Sequence, residues 1–405
     1  LKNIFKTQEG VVAFTGLLIV VPNKLQWLLI LVLGINFFYH VFFRNHRISI
    51  RTLAVFSIPF LIFAIGLTHL NPNDLKFLQR ALPFFIYSLF LTPFINYKAS
   101  HKSILREKFF MFFVFSSLAF IVIAYLNFLF NKKEWWGDFY DSETLRNSIR
   151  YIPDIELDPI YVSFYFSVAL IFTLELYFTK RKVIYLFSAF LFTVFILILS
   201  NKMAIFSLLI ISILVLLKRI RLKKRFYILI LIPFLLFTLN NRRFKELITN
   251  DTYSGILNSN NSTSIRLALL KSSLATVPEN YLFGCGFAAT KQKVSYVFIH
   301  RFNGDREYNT HNQFMGILIA TGVLGLLLFI YYFWFVLKIA NSSKDHVFMY
   351  VVIIIIMNLI TENMLERQFG VYLISHLVTF LGYLNLAKIN EKENIDNRNK
   401  LLSRG

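Results

Sequence analysis

The sequence predicts an all-α, polytopic membrane protein, and three observations carry that prediction. Of its 405 residues 56% are hydrophobic and only 16% charged, a balance too apolar for an ordinary soluble domain. The apolar residues fall in runs separated by polar or charged breaks, which gives about 12 candidate transmembrane helices. Lysine and arginine gather in alternate breaks, as the positive-inside rule requires of a multi-pass chain.

The runs lie at about 11–22, 25–43, 52–68, 81–97, 109–130, 159–178, 183–199, 203–217, 226–239, 311–337, 347–360 and 370–387. Several are shorter than the roughly 17 to 25 residues that a crossing helix needs. The first follows Lys2 and Lys6 like a signal peptide, but Pro22-Asn23-Lys24 offers no small-residue cleavage site, so it reads as a retained span. With a cytoplasmic N-terminus, the inside breaks hold more than half of the 43 Lys and Arg and about a quarter of the 22 Asp and Glu. They are short basic tethers such as Lys218–Arg225, suited to anionic headgroups. The net charge of +21 is therefore read as topology, with membrane lipids as partners and no nucleic acid.

Two outside segments are too long to be connectors alone. Residues 131–158 carry Trp135, Trp136, Arg146, Arg150, Asp154, Glu156 and Asp158, and residues 240–310 form a large, partly helical loop. Within the latter, the capping residues Asn260 to Ser264 lead into a helix over 265–277 halted by Pro278, which places Arg266 in its first turn. There the positive end of the helix dipole would favour a phosphate. Equally, Arg266 suits a headgroup or a loop carboxylate. Gly284-Cys285-Gly286 predicts a tight turn or close backbone approach, with Cys285 a small buried residue. As the only cysteine, Cys285 excludes an intrachain disulfide and a CxxC pair.

The segment Tyr308-Asn309-Thr310-His311-Asn312-Gln313 opens directly into the apolar run 317–337. Asn309 or Thr310 can cap that helix, with His311 in its first turn, where the dipole disfavours imidazolium and leaves a ring able to act as a general base. Gly316, Ala320, Gly322 and Gly325 on the same run read as small-residue packing faces. On the same expected side lie Arg80, Asp158 before Pro159, Lys202 after Ser200-Asn201, and the segment Thr361-Glu362-Asn363-Met364-Leu365-Glu366-Arg367-Gln368-Phe369-Gly370. Polar groups gathered at one membrane mouth mark a functional face. The tail 390–405 is polar, expected to be cytoplasmic and frayed.

Nucleotide-dependent chemistry finds no motif: GxxxxGK[ST], dinucleotide GxGxxG, HExxH and GxSxG are all missing from the sequence. An enzyme on the outer face needs an activated donor that has already crossed, and a polyprenyl-pyrophosphate glycan is such a donor. It requires an apolar groove for lipid, cations for pyrophosphate and a base for the acceptor hydroxyl. No cofactor and no metal cage of clustered carboxylates is expected.

Residues 264–337, with Ser264-Ile265-Arg266, Gly284-Cys285-Gly286 and Thr310-His311-Asn312-Gln313 ahead of Gly322 and Gly325, resemble the O-antigen ligase and O-antigen polymerase superfamily of bacterial integral membrane glycosyltransferases. Asp158-Pro159-Ile160-Tyr161, Leu199-Ser200-Asn201-Lys202 and Glu366-Arg367-Gln368-Phe369-Gly370 resemble weaker landmarks of that superfamily. The resemblance implies a single integral membrane domain over 1–405, similar to the C-type glycosyltransferase class, in the bacterial inner membrane with a periplasmic active face. It implies metal-independent, inverting transfer from an undecaprenyl-pyrophosphate glycan to lipid A core or another glycan acceptor. The histidine matched by His311 would deprotonate the acceptor hydroxyl, and the arginine matched by Arg266 would bind pyrophosphate. Where relatives commonly place a second arginine this chain has Lys202, which keeps the charge without the planar fork; Arg80 or Arg150 would supplement it, with Asn312, Asp158 and Glu362 in support. A ligase and a repeat-unit polymerase share this donor and this face. A flippase or transporter is the rival from another class, and would favour mid-membrane ionisable residues and repeated halves.

Overall fold

In a computed structural model of the chain, the described residues are 12–46, 48–69, 71–96, 99–132, 142–155, 157–199, 201–219, 262–277, 281–302, 304 and 306–402. These residues are mostly helical, with no strand among them. The expected span 226–239, the first part of the large loop, Trp135, Trp136, Glu156, Ser200, Asn260, Asn261, Pro278 and most of the basic tether at 218–225 lie outside the described residues.

The helices in order are α1 Trp27–Phe38, α2 Ile50–Phe56, α3 Ile58–Gly66, α4 Asp74–Phe90, α5 Ala99–Lys132, α6 Ser142–Arg150, α7 Pro159–Lys180, α8 Val183–Leu199, α9 Lys202–Arg219, α10 Ser262–Thr276, α11 Phe287–Phe302, α12 Gln313–Ser342, α13 His346–Thr361 and α14 Gln368–Leu402. Five stretches, α4 with the 3-10 turn that carries it on to Asn96, α7, α12 and parts of α5 and α14, are long and apolar enough to cross a membrane, and α2 with α3 makes a sixth if the pair, bent by 56°, is one span. The bend falls at Ser57-Ile58-Pro59, where proline suits the first turn of a new helix. Four shorter apolar helices accompany them. The expected first span differs: its described part contains a 3-10 turn, Phe14–Leu17. The tail differs too, since α14 continues as helix to Leu402. Lys388 and Glu391 stand three residues apart there, a spacing that supports a helix in water.

α14 is the axis of the bundle, with 94% of its apolar window buried, and α7 is next at 72%. Packing between them and α5 is aromatic: Phe110 stacks on Phe172 with centroids 4.0 Å apart, and Phe109 meets Phe380 at 4.4 Å. In lipid such van der Waals contact, not water exclusion, drives helix association. Several hydroxyls in these helices are satisfied within their own helix. Ser163, Ser167, Thr173 and Ser375 each donate to the carbonyl four residues back.

At the end of the bundle remote from the site, Asp345 caps α13 by accepting from Phe348 N at 3.1 Å. The same carboxylate takes Arg106 of α5 at 2.9 Å and Asn385 of α14 at 3.0 Å, so one buried acid ties three helices together.

α10 and α11 form a hairpin whose tip, residues 281–286, docks into a break in α12. The break is at Gly322, with φ 70° and ψ −168°. Interrupting a helix frees donors and acceptors, and the tip takes them up: Cys285 N donates to Ile319 O and Gly286 N to Ala320 O, both at 2.9 Å, while Val323 N donates to Tyr281 O at 2.7 Å. Gly322 is thus a break, not the packing face its spacing suggested. The glycine turn does make a close backbone approach. A Cβ on Gly284 would lie 2.3 Å from Ala320 O, and one on Gly322 would lie 2.0 Å from Leu282 O. Gly322→Ala is therefore expected to cost at least about 3 kcal/mol, since it adds a left-handed strain to a backbone clash; the melting temperature in detergent, compared with that of the wild type, checks this.

Candidate active site

The polar segment before α12 is built to hold one histidine. Asn312 is the N-cap of α12, extended at φ −154° and ψ 111°, with its side-chain oxygen accepting from Met315 N at 3.0 Å. His311 therefore lies just outside the helix and not in its first turn, and its φ of 44° is left-handed. A histidine there is strained, and its neighbours over-determine it. Asn309 accepts from His311 N at 3.2 Å through its Oδ1 and donates to Glu366 Oε2 at 3.1 Å through its Nδ2. Thr310, buried, contacts Asn363 Oδ1 at 3.0 Å. Asn309 and Thr310 brace the turn while Asn312 caps the helix, because the chain must reverse once more before the helix begins.

The imidazole Nδ1 of His311 lies 3.0 Å from Glu362 Oε2. On its other oxygen Glu362 bonds Arg266 Nη2, so one carboxylate links the two residues that the sequence singled out. An ionised carboxylate only accepts, so Nδ1 carries a hydrogen, and in the neutral form of the ring Nε2 holds the lone pair. Glu362 itself ends α13 as its extended C-cap, at φ −148° and ψ 148°. Arg266 is the fifth residue of α10, one place beyond its first turn, since the capping serines and threonine from Ser262 are themselves helical. It is paired, as the loop-carboxylate reading allowed.

His311 and Glu362 line a cavity of about 850 Å³ shared by Arg80, Arg150, Asp158 and Arg367. Arg80 Nη1 donates to Glu366 O at 3.2 Å. Arg150, the last residue of α6, stands 3.7 Å from Asp158. Asp158 caps α7 by accepting from Ile160 N at 2.9 Å, with Pro159 next in sequence. Lys202 begins α9 and is not among the residues lining the cavity. Arg367 was missed as a site residue. It lines the cavity, is exposed, and makes no side-chain hydrogen bond or ion pair with the described residues. Its neighbour Glu366 was missed too. Burial pushes the Glu366 carboxyl above the usual carboxylate range, opposed by hydrogen bonds from Asn363 and Asn309 and by the Arg367 and His311 charges. The sequence held two signals, two glutamates four apart in the short segment between the last two spans and the resemblance of Glu366-Arg367-Gln368 to a family landmark.

A second, smaller cavity of about 340 Å³ shares Arg80 and Gln368 with the first. Away from that junction its walls are mixed, with Lys76 and Gln79 of α4 beside Ile30 of α1, Leu82, Pro83 and Ile86 of α4, and Tyr372 of α14.

Residues 186–330 match the family model described as O-antigen ligase. Over those residues the match supports the O-antigen ligase superfamily. Members of this family are membrane enzymes of the glycosyltransferase type, and the family implies a lipid-linked glycan and an acceptor as substrates. The ligase match spans α8 to α12 and includes Lys202, Arg266 and His311, whereas Arg80, Arg150, Asp158, Glu362 and Arg367 lie outside it. No curated protein matches the chain.

Proposed function

We propose that this O-antigen ligase-family protein transfers a glycan from undecaprenyl pyrophosphate to an acceptor hydroxyl of lipid A core or a similar glycan, on the periplasmic face of the inner membrane. The observation that carries this reading is the Arg266–Glu362–His311 relay, set on a cavity that also holds Arg80 and Arg367. His311 Nε2 takes the acceptor proton as the acceptor oxygen attacks the anomeric carbon. The bond from that carbon to the pyrophosphate oxygen breaks, and polyprenyl pyrophosphate leaves with its electron pair. A single displacement inverts the anomeric centre. Pyrophosphate is already a good leaving group, so the work left to the protein is orientation and charge neutralisation.

The donor's parts find matching walls. Arg80 lines both cavities and Arg367 the larger one, so pyrophosphate sits at the junction, lipid along the Ile30, Leu82, Pro83 and Ile86 side of the smaller cavity and glycan beside His311. Arg266 serves this site through Glu362, behind the phosphate subsite. Charge-assisted hydrogen bonds contribute about 1.5 to 3 kcal/mol each. Arg367→Ala and Arg80→Ala are each expected to raise the donor KM by roughly 10- to 100-fold at little cost to kcat, because ground state and transition state share these contacts. Donor titrations of the purified variants measure this, and an unchanged KM counts against the junction.

Reconstitution with a polyprenyl-pyrophosphate oligosaccharide, with and without lipid A core, tests the function. Transfer to core supports the ligase reading, growth of the lipid-linked glycan without core makes the protein a repeat-unit polymerase, and no transfer in either case contradicts an enzyme.

A further inference from the structure

The tip of the α10–α11 hairpin, Tyr281-Leu282-Phe283-Gly284-Cys285-Gly286, carries no charge and turns its largest side chains outward. Tyr281 is 51% exposed, Leu282 52% and Phe283 74%. Those side chains adjoin an exposed face of α12 that includes Leu324 at 56% and Leu327 at 58%. We infer that this tip is a re-entrant lipid-contact surface, seated among the acyl chains of the leaflet on the active-site side.

Depth follows from where the tip is tied. Its hydrogen bonds go to Ile319, Ala320 and Val323 of α12. From Val323 to Leu337 that span is uninterrupted by charge, and Lys338 is the first charged residue toward the far end. Those residues rise about 22 Å at 1.5 Å each, and less if the span tilts. The hydrocarbon layer is about 30 Å thick, so the attachment level falls inside it. Irregular backbone survives at that depth only if its polar groups are satisfied by protein. The break at Gly322 supplies that pairing, and His69 Nε2 adds a contact to Phe283 O at 3.0 Å. Continuity with the lipid face of α12 points to acyl chains as the occupant. The consequence is mechanical: α10, which carries Arg266, is anchored in the bilayer at its far end. The inference needs only membrane insertion, so a failed transfer assay leaves it standing.

The test is a nitroxide at Phe283→Cys in full-length protein carrying Cys285→Ala, in proteoliposomes, with collision rates measured for oxygen and for a water-soluble nickel chelate. Leu327→Cys marks the lipid face and Arg301→Cys, on the exposed end of α11, marks water. Oxygen should dominate at 283 by a ratio close to that at 327, and Tyr281→Cys reads the same surface if the first variant does not insert. Nickel dominance at both tip positions, as at 301, would overturn the inference. So would shielding from both reagents, which would mean that another protein segment or a second copy covers the tip.

Discussion

His311→Ala is expected to lower kcat for glycan transfer by about 10²- to 10⁴-fold, the usual contribution of a positioned general base. The donor KM should change little, since no part of the proposed pyrophosphate junction touches the imidazole. The backbone at this residue is left-handed, and alanine adopts that region no more easily than histidine. A thermal melt therefore accompanies the assay. The expected result is an inserted protein with near-normal melting and lost turnover; near-normal turnover would remove His311 from the chemistry.

Glu362→Gln has the next largest expected effect, and it tests positioning. The carboxylate accepts from His311 Nδ1 on one oxygen and holds Arg266 on the other. An amide can offer Nδ1 a hydrogen instead, which favours the tautomer with its proton on Nε2 and takes the lone pair from the cavity. It also leaves the Arg266 charge without its partner, a loss worth several kcal/mol for a half-buried pair. We expect kcat to fall by about 10²-fold or more. Because both residues act as one unit, the double variant with His311→Ala should be no slower than His311→Ala alone. Additive losses would show that Glu362 works independently of the imidazole. Glu362→Asp should recover part of the rate, which a purely structural role would not predict.

Much of this was readable from residue patterns. The membrane class followed from apolar runs and sided basic breaks. The place of His311 followed from a polar turn abutting a span, and the true cap, Asn312, lay two residues beyond Thr310 because the turn needs Asn309 and Thr310 as braces. The carboxylate between Arg266 and His311 was harder to see as a link. Glu362 is 96 residues from Arg266 and 51 from His311, and only the folded bundle brings the ends of α10, α12 and α13 together. Arg367 was hidden for a related reason, since a cation at the start of a span usually anchors to headgroups. Gly322 misled because one glycine in an apolar run signals packing as readily as a break, and the tip that fills the break lies 36 residues upstream. α6 gave no apolar run because its nine residues are largely polar.

The most direct measurement is a single turnover in proteoliposomes from one doubly labelled donor, following glycan transfer and polyprenyl-pyrophosphate release together. The account predicts that both products appear at the same rate with wild type, and that both vanish in His311→Ala while the donor remains bound. Transfer at the wild-type rate in His311→Ala, or glycan crossing the membrane with its lipid linkage intact, would contradict it.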